Sequence, residues 1–167
     1  FVGDMLYGRT VKSLAEVLAR LGKNNTFTFV SPEMLKLPTS FVAELEQYGV
    51  KIIQVTSLSD IGKPDVMYVT RVQKERMTAE VAAQFDSSSF IITPEVMAEL
   101  PEHTAVMHPL PRVDEIPAEV DTDPRAINLD KQMEAALPTR AALFMAMFVE
   151  NPFLILQELF AEDAFQK

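Results

Sequence analysis

The chain contains no cysteine. Disulfides, thiolate chemistry and cysteine-based metal sites are excluded, and a cytoplasmic protein is expected. Histidine is scarce as well: only His103 and His108 occur, without metal-ligand spacing. His103 falls in a polar turn, and His108 reads as ordering its own loop rather than acting as a base. Phosphate-cradling motifs are absent. Gly3 and Gly8 resemble a short glycine loop in spacing, but no Gly-Lys-Ser/Thr follows and no Gly-x-Gly-x-x-Gly occurs, so nucleotide binding has no support and no cofactor is expected. No apolar run approaches the ~20 residues needed to span a bilayer, and nothing at the start has the order of a signal peptide. Positive charge is in deficit: 15 Lys and Arg against 24 Asp and Glu give a formal net charge of −9. Nucleic acid and anionic membrane both need a basic face, so neither is expected as a partner; the acidity reads as solubility.

What is present suits one globular domain. A chain of 167 residues can bury about 70% of its unfolded surface. Hydrophobic content of 48% and charged content of 23% are ordinary for such a domain. Phe1-Val2 before Gly3-Asp4 reads as the end of a first strand, so the chain is expected to be part of something longer. Further strands are expected at 27–30, 50–55, 65–69, 90–92 and 104–107. A helix is expected at 10–21, where Val11, Leu14, Val17, Leu18 and Leu21 share a face and Gly22 and Asn24-Asn25 stop it. Others are expected at 40–48, closed by Gly49, at 78–85, and at 94–100, where Thr93-Pro94 supplies a cap and a helix-starting proline. The remainder reads as helical, divided at Pro138 and Asn151-Pro152. The fold class is therefore expected to be α/β: a doubly wound, Rossmann-like parallel sheet of five to six strands with helices on both faces and a C-terminal helical segment. A strand order of 3-2-1-4-5-6 sets strands one and four side by side, with a ligand crevice beyond their carboxyl ends.

Three loops leave that edge, at 3–10, 70–76 and 108–115. In the third, His108-Pro109-Leu110-Pro111 fixes the backbone, because proline locks φ, has no N–H, and can follow a cis bond. Such a loop suits aiming backbone carbonyls. Arg9 and Arg71 come from the first two loops. Taken singly, an arginine after a strand is more often a surface ion pair. Together at a switch point, two guanidinium groups suit a dicarboxylate, or a ligand with a carboxylate and a phosphate, each gripped by paired hydrogen bonds. Gln73 is placed to read the rest of the ligand. Arg76 and Arg112, near Glu75, Asp114 and Glu115, read as loop braces.

Three segments, Gly-Asp-x-x-Tyr-Gly-Arg-Thr-Val (3–11), Tyr-Val-Thr-Arg-Val-Gln-Lys-Glu-Arg (68–76) and His-Pro-Leu-Pro-Arg-Val-Asp-Glu-Ile (108–116), with Asp-x-Asp-Pro-Arg-Ala (121–126), together resemble aspartate carbamoyltransferase. Pro109 stands where the sister ornithine enzyme has cysteine, which favours aspartate. The resemblance implies transfer of a carbamoyl group from carbamoyl phosphate to the amine of L-aspartate, in pyrimidine biosynthesis. It implies that Arg9, Arg71 and Gln73 bind aspartate. It also implies that carbonyls of the Leu110-Pro111 segment, joined by a cis bond, contact the carbamoyl group or the attacking amine. Tyr7, Glu75, Arg76, Arg112 and Asp114 are then braces, with no metal and no separate catalytic residue. Residues 1–130 would be the aspartate-binding domain. Of residues 131–167, at least one helix would pack on the carbamoyl-phosphate domain. The Ser-Thr-Arg-Thr-Arg motif of that domain does not occur here, so the chain alone is expected to be inactive. The implied assembly is a homotrimer, with a regulatory subunit or fused pyrimidine enzymes as further partners. Two departures stand out: Leu6 in place of the usual lysine, and Lys12 in place of the usual histidine. The alternative reading is a non-catalytic module on the same fold that binds dicarboxylates or a partner.

Overall fold

A computed structural model of the chain describes residues 1–22, 24–77, 88–148 and 150–151. The chain divides into two units, Phe1–Asn128 and Leu129–Lys167.

The first unit is α/β. Its elements are α1 (Arg9–Leu21), β1 (Thr26–Val30), α2 (Thr39–Glu46), β2 (Lys51–Val55), β3 (Val66–Tyr68), α3 (Pro94–Glu99) and β4 (Ala105–Met107). β1 pairs with β2 and β3 with β4, both parallel. Val2 joins the two pairs through parallel bridges to Val30 and Val69. The order is therefore β2–β1–Val2–β3–β4, and Ala126 adds a parallel bridge to Val106. Parallel strands with crossover connections must be covered on both faces. Here Phe27 and Phe29 pack with Val11, Ala15 and Ala19 of α1 and Leu45 of α2. On the opposite face Val2, Val30, Met67, Val69 and Val106 pack with Met97, Leu100 and Val120.

Several expectations need correction. The described residues hold four strands, with isolated parallel bridges at Val2 and Ala126. Residues 90–92 form no strand: Ser88–Phe90 is a 3-10 turn, and the Ile92 N–H donates to the Glu115 carbonyl at 2.9 Å. That hydrogen bond ties the segment to the proline loop instead of a ladder, which lets the final strand sit directly beside β3. In α1 the inward face runs through Val11, Ala15 and Ala19, whereas Val17, Leu18 and Leu21 are exposed. Small residues at four-residue spacing let the helix lie close on Phe27 and Phe29. The helix expected at 78–85 lies outside the described residues. Beyond the proline loop, the first helical piece is a 3-10 segment, Ala118–Thr122.

In the second unit, α4 (Lys131–Glu134) starts at Asp130, whose carboxylate accepts the Lys131 N–H, and α5 spans Ala136–Phe148. The two helices divide at Ala135, and Pro138 follows that break. It lies in the first turn of α5, where its missing N–H would have had no helical partner. Leu137, Leu143, Phe144, Met147 and Phe148 are all exposed on α5, and the Phe144 and Phe148 rings stack at 6.3 Å. Among the described residues, no helix is long and apolar enough to cross a membrane.

Candidate functional site

At the carboxyl end of the sheet, one buried carboxylate joins the first two loops. Asp4 is fully buried. Its Oδ1 accepts the Tyr7 N–H at 2.7 Å, and its Oδ2 accepts the Gln73 N–H at 3.1 Å. The Asp4 N–H donates to Thr70 Oγ1 at 3.3 Å, and the Thr70 hydroxyl donates to the Val2 carbonyl at 3.3 Å. A carboxylate withdrawn from water is tolerated only when hydrogen bonds replace hydration, and charge-assisted N–H bonds are among the strongest replacements. The chain segment before Arg9 is thus fixed against the segment after Arg71. Two glycines permit this approach. Gly3 has φ +115°, and a Cβ there would lie 2.2 Å from the Thr70 carbonyl oxygen; a Cβ at Gly8 would lie 2.2 Å from the Asp4 carbonyl oxygen.

The sequence pointed to the arginines and passed over Asp4. Its signal was present: an acid directly after a strand-end glycine, three residues before Tyr7, has the spacing of a side chain that caps its own turn.

Arg9 is the first residue of α1 and is exposed. A helix of 13 residues carries partial positive charge at its N-terminus, where an acid would be stabilising. The first turn of α1 has no acid. An arginine there works against helix stability and favours an external anion. Lys12 reaches back from the same helix, its Nζ donating to the Leu6 carbonyl at 2.7 Å. That contact supplies an ammonium brace to a loop that lacks lysine at position 6.

Arg71 forms a two-point ion pair with Glu75, at 2.6 and 3.3 Å. The hydrogen bond from Arg71 holds the Glu75 carboxyl below the usual range. The guanidinium is 37% exposed on its side chain, so its remaining surface can meet a ligand. Gln73 is half-buried at the start of a 3-10 turn, Lys74–Arg76.

The proline loop is built on His108, which is buried. Its Nδ1 accepts the Leu110 N–H at 2.8 Å and its Nε2 faces Glu115 Oε1 at 2.7 Å. An acceptor at Nδ1 requires the ring proton on Nε2, which then donates to Glu115. Burial pushes the Glu115 carboxyl up, but hydrogen bonds from His108 and the Val113 N–H outweigh it and hold the group below its ordinary value. Between these anchors the Leu110–Pro111 peptide is cis and Leu110 has φ +54°, a conformation costly for a residue with a branched side chain. Two further ion pairs fasten the chain on the far side of this loop: Arg112 with Asp121, and Arg125 with Asp123. Arg125 also donates to the carbonyls of Leu100 and Pro101.

The pairings differ from those expected. Glu75 serves Arg71, and Arg112 takes Asp121 instead of a nearer acid. Asp114 is exposed, and neither it nor Arg76 has a side-chain ion pair among the described residues. A cavity of about 190 Å³ lies between the second and third loops, lined by Gly3, Thr70, Arg71, Glu75, Asp114 and Glu115 among others. Arg9, Gln73, Leu110 and Pro111 do not line it. Among the described residues no cluster of three His, Asp or Glu side chains could hold a metal. The chemistry on offer is anion binding and positioning.

Comparison with known proteins agrees with that chemistry. Residues 1–147 match the family described as aspartate/ornithine carbamoyltransferase, Asp/Orn binding domain. The chain is 43% identical over 150 residues to an aspartate carbamoyltransferase catalytic subunit of Methanocella arvoryzae, covering 89% of this chain and 48% of that protein. Among solved structures, the catalytic subunit of M. jannaschii aspartate transcarbamoylase is 40% identical, with a TM-score of 0.66 over 77% of this chain and 41% of that one. The Trypanosoma cruzi aspartate transcarbamoylase in complex with carbamoyl aspartate and phosphate is 36% identical, with a TM-score of 0.67 over 76% of this chain and 41% of that one. The chain spans about half the length of the catalytic subunits it matches.

Proposed function

The chain belongs to the aspartate/ornithine carbamoyltransferase family, and from that premise we propose that it is the aspartate-binding half of an aspartate carbamoyltransferase. The observation that carries this reading is the Asp4 junction. It fixes the backbone on either side of the two loops that bear Arg9 and Arg71, and rigid placement is what lets two guanidinium groups read the spacing of two carboxylates. Arg9, helped by the positive end of α1, takes one carboxylate of L-aspartate. Arg71, oriented by Glu75, takes the other, and Gln73 fixes the substrate's orientation.

The neutral amine of aspartate then attacks the carbonyl carbon of carbamoyl phosphate. A C–N bond forms, the C–O bond to phosphate breaks, the nitrogen gives up a proton, and carbamoyl aspartate and phosphate result. Carbonyls of Leu110 and Pro111 accept hydrogen bonds from the carbamoyl group or the amine, and the His108–Glu115 pair holds them in place. Tyr7 and Arg112 brace these loops. Positioning and charge stabilisation are the whole of this half's contribution.

Carbamoyl phosphate requires a second half, so this chain alone forms no carbamoyl aspartate. We infer that α5, apolar around its circumference, packs on that half, within a cytoplasmic homotrimer. The test is calorimetric titration with succinate, a dicarboxylate lacking the amine. Saturable binding that falls at least tenfold in Arg71→Ala, about 1.4 kcal/mol, is expected; equal binding by both proteins would sink the carboxylate role. Carbamoyl aspartate formation by the purified chain would overturn the assignment as a half-site.

A further inference from the structure

Lys12 sits where a cation is least favoured. It lies in the first turn of α1, at the positive end of the helix, and Arg9 is its neighbour on the same face. The first turn has no acid, and Gly8 gives it no side-chain cap. Lys12 is nevertheless half-buried, and its ammonium is committed to the Leu6 carbonyl at 2.7 Å. Fixing a lysine side chain costs rotamer freedom. Local helix stability therefore does not account for the contact.

What the bond spans does account for it. The Asp4 junction holds the chain as far as Tyr7, whose N–H donates to Asp4 Oδ1 at 2.7 Å. Arg9 begins α1, and between the two stands Gly8. Glycine rotates more freely than any other residue. A stiffer residue cannot replace it, because a Cβ there would lie 2.2 Å from the Asp4 carbonyl oxygen. The helical bond closed at this position, from the Lys12 N–H to the Gly8 carbonyl, is long at 3.4 Å. The core takes hold of α1 only from Val11 onward, since Arg9 and Thr10 are exposed. Such helix ends fray. The Lys12 side chain bypasses the glycine and fastens the turn directly to the loop before it. Thr10 adds a second hold through a hydrogen bond to Tyr68, in the strand that leads to Arg71. One hold lets a turn swivel, whereas two set both its distance and its angle.

We propose that Lys12 is a positioning residue: by fastening the first turn of α1 to the Leu6 carbonyl across Gly8, it sets the distance from Arg9 to Arg71 and so the length of dicarboxylate the chain prefers. The inference rests on Arg9 and Arg71 being the carboxylate pair. Lys12 itself touches no ligand and moves no proton. Two guanidinium groups on fixed mounts fit one spacing of carboxylates and reject others. On a loose mount they adjust to either spacing, with an ordering cost for both. Loss of the tether therefore falls on the acid of the right length.

The experiment is calorimetric titration of the wild-type chain, Lys12→Met and Lys12→Arg with succinate and with glutarate, which is one carbon longer. A urea unfolding midpoint is measured for each protein. Methionine keeps most of the length without the donor, and arginine keeps a donor. The wild type should prefer succinate by about tenfold. In Lys12→Met, succinate affinity should fall about fivefold and the preference should shrink to about twofold, with the urea midpoint unchanged. Lys12→Arg should restore both to within about twofold of wild type. Hydrogen exchange at the residue 12 amide should quicken in Lys12→Met, while the Gln73 amide, held by Asp4, stays unchanged. Equal weakening of both acids would mark a general effect of charge and overturn the proposal. So would a lowered urea midpoint with the preference intact, or failure of Lys12→Arg to restore it. Normal wild-type binding with an unshifted preference in Lys12→Met would sink this inference alone, whereas a wild-type chain that binds neither acid would sink the carboxylate reading with it.

Discussion

The two ends of one sheet are finished by opposite chemistry. At the carboxyl end, Asp4, Thr70 and His108 are buried polar groups, each bonded to backbone or to a partnered side chain. At the amino end, the side chains beside the sheet are apolar, among them Leu14 and Leu18 of α1, Ile53 and Ile61. Buried polar networks are costly unless complete, and when complete they specify one geometry. Apolar walls tolerate many arrangements. The rigid end therefore carries the arginines, which stay accessible around a fixed frame, while the apolar end is the softer of the two.

Substitutions test that contrast directly. Asp4→Ala leaves the Tyr7 and Gln73 N–H groups without their acceptor, so unfolding free energy should fall by about 3 kcal/mol in urea titration, with succinate binding lost alongside. An unchanged midpoint would remove Asp4 as the organiser. Gly3→Ala places a methyl group against the Thr70 carbonyl at a left-handed φ, with an expected cost of roughly 2 kcal/mol; a neutral result would mean that the two loops yield easily.

Glu115 makes the rigid end sensitive to acid. Its carboxyl sits below its unfolded value of 4.5, so its contribution is full above that pH and is lost as the pH falls through the lower folded value. Glu115→Gln should cost about 1 kcal/mol at neutral pH and flatten the acid limb of the stability curve. A parallel, undiminished limb would place the acid sensitivity elsewhere. The smallest effect is expected at the soft end. Leu18→Ser, on a half-exposed wall, should change stability by less than about 0.5 kcal/mol, and a loss comparable to that of Asp4→Ala would abolish the contrast between the ends.

Much of this architecture is legible in the chain itself. The apolar runs at 27–30, 50–55, 65–69 and 104–107 are strand positions or directly adjoin them, because alternating apolar segments of that length have few other uses. The three loops are legible through Arg9, Arg71 and the two prolines flanking Leu110. Other features are hidden. Phe90 to Ile92 has strand composition, yet its backbone bonds to Glu115 in a loop distant in sequence. Val17 and Leu18 obey helical periodicity, yet the core contacts the stripe of alanines beside them. Arg112 has acids two and three residues away and pairs with Asp121, nine residues on. Each miss has one cause: local pattern ranks candidates, and long-range packing chooses among them.

The sequence by itself determined the chemical inventory: an acidic chain without cysteine, two arginines after strands, and a proline-stiffened loop whose motifs resemble one family. Composition and motif order survive any folding path, so these could be read directly. Only the tertiary structure decided which groups lock that inventory in place. Asp4 and Gln73 are 69 residues apart in the chain, and Val2 separates β1 from β3 by one strand width. Those relations exist only once the sheet has formed, because hydrogen bonds between distant segments depend on position in space, which no local run of residues encodes.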